Sequence, residues 1–327
     1  MSGYVHAAYV DALGGPDAIR YGTLPQPRPA DGEVLVRVEA TTVNHVDTFI
    51  RSGAFRTPMT FPFVLGRDLV GTVVEPAAGF ATGERVWCNS MGHDGRQGAA
   101  ASGVAVPADR LYRLPDGVSA DDVVAVAHPA ATAYLGLFTH GRLRAGETVV
   151  VIGAAGNVGG AIVALAAAAG ARVVAVAGAA DAAYCRGIGA AEVVDRADPA
   201  RARRLGAACP DGVDLYIDPA GVNDLDTAVG LLARGGRIVL LAGMATRPVL
   251  PVGPLYTNNA AIHGFVISHA TAAELAEAAA EIGRRVATGV LRPRDILELP
   301  LGEAERAHRA VASGETKGRR VVLRMPT

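Results

Sequence analysis

The chain has 327 residues, above the ~250–300 at which a single hydrophobic core tends to divide, so two domains are expected. Hydrophobic residues make up 50% and charged residues 19%, a composition that excludes a disordered chain. The net charge of −1 leaves no basic excess to meet a phosphate backbone or an anionic membrane surface, which argues against nucleic acid and membrane as partners.

The N-terminus, MSGYVHAAYVD, has neither a basic region nor an apolar run, so no signal peptide is expected. The first ~120 residues read as β-rich material with frequent breaks. EVLVRVEA at 33–40 alternates apolar and polar residues as a half-buried strand does, and 70–75 and 85–88 are further short strands. PQPRPADG, AAGFATGE and HDGRQGAAASG between them carry turn and loop chemistry. A helical run is expected over 120–139. From there strands and helix-compatible segments alternate: TVVVI (148–152), an Ala-rich helix (158–169), RVVAVA (172–177), AAEVVD (190–195), VDLYID (213–218), RIVLLA (237–242) and IHGFVI (262–267). Such alternation predicts an α/β fold, a doubly wound parallel Rossmann sheet covered on both faces. A helix near 271–288 and a closing strand, GRRVVLRM (318–325), follow. The closing segment is expected to return to the first, β-rich domain, so the nucleotide fold is an insertion.

Val149 to Ala171 contains no charged residue and is long enough to span a bilayer, but Gly153, Gly156, Gly159, Gly160 and Gly170 interrupt it. A buried strand, turn and helix account for it better. Cys88, Cys185 and Cys209 lie far apart with no C-x-x-C pair, which fits a reducing cytoplasm and argues against a thiolate zinc knuckle.

V-I-G-A-A-G-N-V-G-G at 151–160 lies where a dinucleotide fingerprint belongs, after a strand and opening a helix. Gly153 serves the tight turn, Gly156 the close approach to a pyrophosphate, and Gly159 the packing of helix on strand. The second strand ends at Ala177–Gly178, where an NAD-selective site commonly places an acid for the ribose 2′-hydroxyl. Ala177 leaves room for a 2′-phosphate, Arg196 follows the third strand, and Asp181 opposes an anion, so NADPH is favoured over NADH.

VNHVDTFIRSG (43–53), G-R-D-x-x-G (66–71), VPADRLYRLPDGVS (106–119), HPAATAY (128–134), GAAGNVG (153–159) and LLARGGRIVLLAG (231–243) occur in this order. Together they resemble the medium-chain dehydrogenase/reductase superfamily, in its zinc-free quinone oxidoreductase (zeta-crystallin-like) branch. The resemblance implies a GroES-like catalytic domain, residues 1–124 plus 268–327, a Rossmann domain, residues 125–267, and hydride transfer from NADPH in the cleft between them. It implies that Asn44 and Thr132 line the nicotinamide end and that Gly153, Ala155, Gly156, Asn157, Val158 and Gly159 hold the pyrophosphate. Gly178 and Arg196 fall in the adenosine 2′-phosphate region and Tyr184 on the adenine side. Leu241, Ala242, Gly243 and Met244, with Phe265, Val266 and Ile267, match segments whose backbone meets the nicotinamide and its ribose. Glu315 stands where relatives often carry a basic residue; Lys317, the sole lysine, is the alternative cofactor contact from that segment.

His45, Asp47 and Asp68 are metal-ligand material, yet zinc alcohol dehydrogenases of this superfamily carry Cys and G-H-E where this chain has Asn44 and Gly66-Arg67-Asp68. A catalytic zinc needs three firm ligands and an open position. An amide and a guanidinium remove two of them, so no zinc is expected. Without that Lewis acid, hydride donation to a quinone or α,β-unsaturated carbonyl fits better than alcohol oxidation. Phe49 and Phe55 replace tyrosines common in relatives, which leaves His45, Arg67 or water to supply the proton. Arg67 is equally expected to form an ion pair with Asp47 or Asp68, and Asp47 to cap a turn or helix. His140, His263, His269 and His308 show no partner pattern, and no G-x-S-x-G elbow appears. The resulting expectation is a cytoplasmic, homodimeric NADPH-dependent reductase acting on a small-molecule quinone or enone. The alternatives are an enoyl-thioester reductase of lipid or polyketide synthesis, and a low-turnover NADPH-binding sensor or structural protein.

Overall fold

The structure, a computed structural model, describes residues 3–316 and 318–326, so the expected contact from Lys317 lies outside the described residues. The chain divides into two compact units, Met1–His128 with Thr271–Thr327, and Pro129–Ala270.

The first unit is β-rich and mostly antiparallel, its one parallel pair among the described strands being the two at the C-terminal end. Its elements are β1 (Tyr4–Val10), β2 (Arg20–Pro25), β3 (Glu33–Val43), α1 (His45–Ser52), β4 (Phe63–Val64), β5 (Leu69–Val73), β6 (Arg85–Cys88), β7 (Gly103–Pro107) and β8 (Tyr112–Arg113). The fifteen-residue α2 (Ala120–Tyr134) begins in this unit and ends in the other. β3 is the hub: it pairs with β5 and with β7, and its last residues pair with the C-terminal strand. Neighbouring residues in it are buried together, Val34 with Leu35 and Val36 and again Ala40 through Val43, because both faces of the strand are covered there.

The second unit carries β9 (Thr148–Ile152), α3 (Asn157–Ala168), β10 (Arg172–Ala177), α4 (Ala182–Gly187), β11 (Glu192–Asp195), α5 (Arg201–Ala208), β12 (Val213–Asp218), α6 (Leu225–Leu231), β13 (Leu232–Leu240), α7 (Val252–Thr257) and β14 (Ala261–Gly264). All six strands are parallel, in the order β11-β10-β9-β12-β13-β14, the doubly wound arrangement with its switch point between β9 and β12. Val149, Val150 and Val151 of β9 are fully buried, so the uncharged stretch is the central strand and covering helix of this sheet. Among the described residues no helix is long and apolar enough to cross a membrane.

The chain then re-enters the first unit through α8 (Ala272–Ala287), β15 (Ile296–Pro300), α9 (Ala304–Ser313) and β16 (Arg320–Arg324). β16 pairs with β3, Val321 opposite Val43 and Leu323 opposite Thr41, so the closing segment does return to the first domain.

Several expected boundaries differ, three of them near the carboxyl edge of the second unit's sheet or the helix before it. The helix over 120–139 stops at Tyr134 and gives way to a π-helical turn, Leu135–His140, closed by a Gly141 N–H to Gly136 carbonyl bond of 3.0 Å. The strand expected at 237–242 is longer at its start and ends at Leu240. The strand expected at 262–267 ends at Gly264, because the Phe265 ring turns onto His140, ring centres 4.4 Å apart, and a 3-10 turn follows at Ile267–His269.

Candidate active site

In the parallel sheet every loop after a strand falls at the same carboxyl edge, and that edge collects the expected cofactor residues. Gly153 follows β9 with φ +67, a left-handed turn that a β-carbon would strain. Gly156 is the N-cap of α3, whose first residues are Asn157 and Val158, so the helix N-terminus with its free N–H groups opens out of the glycine loop. A β-carbon at Gly159 would be driven into the Gly153 carbonyl, so only glycine lets α3 approach the turn this closely. Tyr184 lies beside the same helix: a β-carbon on Gly160 would stand 2.8 Å from its hydroxyl. Gly178 follows β10, and a β-carbon there would lie 3.8 Å from Arg196 Nε and 3.5 Å from Asp181 Oδ2. The adenosine-side cation and the opposing acid expected from the sequence thus border one glycine.

Leu241–Met244 follows β13 and is tied to the loop after β12. The Asn223 side chain donates to the Ala242 carbonyl at 3.1 Å and to Thr246 Oγ1 at 2.7 Å. The fully buried Asp218 fixes that loop by accepting the backbone N–H groups of Ala220, Gly221 and Asn223. Sequence reasoning missed Asp218 and Asn223; an acid at a strand end before P-A-G-V-N was the available signal. Thr132 is buried on α2, in the same unit.

Asn44, Asp47, Arg67 and Asp68 come together in the first unit, inside a buried polar cluster. β3 delivers Thr41 and Thr42, and Asn44 caps α1. The Asp47 carboxylate, one turn in, accepts the Asn44 backbone N–H at 2.7 Å, so it does cap the helix. Pairing of β5 with β3 sets Asp68 against the threonines. Asp68 Oδ2 accepts from Thr42 Oγ1 at 2.5 Å and from Asn44 Nδ2 at 2.8 Å. From the other side of β3, Arg320 of β16 donates through Nη2 to Thr42 Oγ1 at 3.0 Å and to Asn44 Oδ1 at 2.9 Å. Asp68, Thr42, Asn44 and Arg320 are all at most 5% exposed.

Two acids and two guanidiniums share this interior with one imidazole. Burial pushes the Asp47 carboxyl up to about 7 and Asp68 up to about 6, with neighbouring cations pulling the other way. Burial likewise lowers Arg67 and Arg320 from the usual guanidinium range, and Asp47 and Asp68 oppose it. Burial, with the charges of Arg67 and Arg320, holds His128 well below its usual value, so its imidazole is neutral.

The ion pair expected between Arg67 and Asp47 or Asp68 is corrected. Asp68 instead has Arg320 Nη2 and His128 Nδ1 each at 3.8 Å. Arg67 is 1% exposed, and its Nε and Nη1 have no hydrogen-bond partner among the described residues. It acts on the acids through its charge. His45, at the first turn of α1, keeps an exposed face, yet surrounding protein and the Arg320 charge lower its pKa.

These residues do not fit a catalytic zinc. The Asn44 amide is already committed to Asp68 and Arg320, and Arg67 brings a buried positive charge where a cation would need a donor. Among the described residues no three His, Cys, Asp or Glu side chains are grouped as ligands.

The glycine cradle at the carboxyl edge of a doubly wound sheet, joined in one chain to a mostly antiparallel β-rich unit, defines a nicotinamide-dependent oxidoreductase. Residues 30–116 match the alcohol dehydrogenase GroES-like domain and residues 157–283 the zinc-binding dehydrogenase domain. The chain is 30% identical to the quinone oxidoreductase of Mus musculus, the match covering 98% of this chain and 97% of that one. It is 29% identical to the quinone oxidoreductase of Pseudomonas aeruginosa over 95% of this chain and 97% of that one. The structure of AibC matches with a TM-score of 0.89 at 29% identity, covering all of this chain and 97% of that one. Mycobacterial Rv1454c complexed with NADPH matches with a TM-score of 0.83 at 30% identity, over 98% of this chain and 99% of that one. The chain belongs to the medium-chain dehydrogenase/reductase superfamily, in its quinone oxidoreductase branch.

Proposed function

We infer that this protein is a zinc-independent, NADPH-dependent reductase that delivers hydride to a quinone or an α,β-unsaturated carbonyl compound. The observation that carries the reading is the donor set at the heart of the first unit. An amide held between a carboxylate and a guanidinium, beside a second buried guanidinium, supplies no ligand set for a Lewis-acid metal. An acceptor whose own conjugation carries the arriving electron pair onto its oxygen does not require such a metal.

When bound, a reduced nicotinamide dinucleotide would supply the hydride from its C4, and the chain's residues would bind, orient and shield it. The α3 N-terminus with Ala155 to Gly159 would hold the pyrophosphate, and Leu241–Met244 and Phe265–Ile267 would position the nicotinamide ribose. Thr132 and Asn44 would line the nicotinamide end. Asn44 Oδ1 retains one lone pair beyond the one used by Arg320, so the amide keeps an acceptor for that task. Arg196 beside Gly178 supports the choice of NADPH, with Asp181 as the opposing charge. The proton that completes the reduction comes from His45 or solvent, since Arg67 is 1% exposed and out of reach of solvent.

A homodimer belongs to the same reading. β14 ends the six-stranded sheet, and Val249, Val252 and Tyr256 before it are 58–85% exposed. Light scattering should give twice the chain mass of 33.4 kDa. Three buried cysteines, none in a disulfide among the described residues, suit a cytoplasmic location.

Stopped-flow loss of NADPH absorbance tests the function. Rapid oxidation by a quinone or enone supports it. Oxidation by an enoyl-thioester alone, for which the phenol-free Phe49 and Phe55 would be adapted, shifts the assignment to a thioester reductase. Tight binding with no oxidation by either identifies a sensor or structural protein.

A further inference from the structure

Arg320 enters the first unit from the far end of the chain, 276 residues from Asn44 in sequence, and its guanidinium is spread over three acceptors. Nη2 donates to Asn44 Oδ1 and Thr42 Oγ1, and Nε donates to the Ala125 carbonyl at 2.6 Å. The third acceptor has a definite origin. Within α2 the carbonyl of Ala125 would normally take the N–H of the residue four positions on, but that residue is Pro129, which has none. Arg320 fills the bond that the proline removes.

This fork decides which way the Asn44 amide faces. With Oδ1 against an Arg320 donor and Nδ2 against the Asp68 carboxylate, a flip would set donor against donor and oxygen against carboxylate. A lysine in place of Arg320 would keep the charge, but a single ammonium does not reproduce a planar fork aimed at three fixed acceptors.

We propose that Arg320 is a positioning residue that locks the Asn44 amide, and through it the nicotinamide end, so that it governs the rate of hydride transfer rather than dinucleotide affinity. The consequence for hydride transfer rests on the reading of Asn44 given above; the locking of the amide does not.

Two readouts on the full-length protein separate these. The first is the Asn44 side-chain amide resonance, assigned by its loss in Asn44→Ser. Arg320→Met and Arg320→Lys should both shift and broaden it; a resonance unmoved in both overturns the proposal. The second is a double-mutant cycle on the single-turnover rate of NADPH oxidation by a quinone. Arg320→Met should slow that rate about 30-fold, with the NADPH dissociation constant changed less than about twofold. In an Asn44→Ala background the same substitution should cost less than about threefold. An undiminished effect there, or full rescue by Arg320→Lys, overturns it. Arg320→Lys carries both tests if Arg320→Met fails to fold. A wild-type protein that does not oxidise NADPH at all refutes the proposed function, while the resonance still decides whether Arg320 holds Asn44.

Discussion

The carboxyl edge of the parallel sheet and the buried cluster beneath β3 are built from different materials. At the sheet edge the working parts are backbone: a helix N-terminus, a left-handed glycine and loops after β12 and β13 pinned by Asp218 and Asn223. At the cluster they are buried charged side chains from three distant segments, joined by the neutral His128 from a fourth. A backbone site tolerates most changes except an added β-carbon. A charge cluster does not tolerate the loss of one sign, nor, at Arg320, the loss of the planar fork that meets three acceptors. The two regions should therefore fail in different ways.

The largest effect is expected from Asp68→Leu, which leaves Arg67 and Arg320 buried without their shared acid. Urea denaturation should show a loss of about 3–5 kcal/mol, and Asp68→Asn a smaller one because an amide oxygen still accepts from Thr42. Equal losses would mean that charge alone, not hydrogen bonding, holds the cluster. Gly159→Val is the counterpart at the sheet edge. Driving a side chain into the Gly153 carbonyl should cost about 2–3 kcal/mol and abolish NADPH binding followed by fluorescence. Retained binding would separate the glycine loop from the dinucleotide.

Acidity offers a finer separation. Asp47 titrates at about 7 when folded, above the ~3.9 of an unfolded aspartate. The native state then holds a proton that the unfolded chain has released. The contribution of this group is fully present below ~pH 4 and is lost as pH rises toward 7. Between about pH 4.5 and about pH 7.5 the wild type should lose stability relative to Asp47→Asn. A constant difference would place the folded pKa near its unfolded value. Arg196→Ala should raise the NADPH dissociation constant about tenfold and leave that for NADH unchanged. Equal weakening of both would remove Arg196 from 2′-phosphate recognition. The smallest change is expected from His45→Gln, less than about threefold on turnover; a loss above about 100-fold would make His45 the proton donor.

The same contrast explains what the sequence disclosed. The fingerprint at 151–160, the strand rhythm that follows and the resemblance of VNHVDTFIRSG are local patterns, so the α/β class, the parallel sheet and the glycine loop were legible. Asp47 as a helix cap was legible for the same reason, since its partner lies three residues away. Arg320 was not. Pro129 announces that the Ala125 carbonyl lacks its helical donor, but nothing local says that the donor arrives 195 residues later from β16. Arg67 misled for a related reason. Adjacent opposite charges suggest an ion pair, whereas strand pairing points Asp68 toward Thr42 and Asn44 and leaves its ionic contact to Arg320, with the neutral His128 beside it. Strands β1 (YVHAAYV) and β2 (RYGTLP) lack a clean apolar–polar alternation and so do not stand out, and the bend of the chain at Phe265 accompanies a ring contact with His140.

The claim on which the account turns is that hydride passes to a conjugated acceptor without help from a metal. Stopped-flow NADPH oxidation by a quinone, run on chelator-treated protein whose zinc content is measured in the same sample, tests it directly. The account predicts an undiminished rate with far less than one zinc per chain. A rate that disappears on chelation and returns with one equivalent of zinc would contradict it.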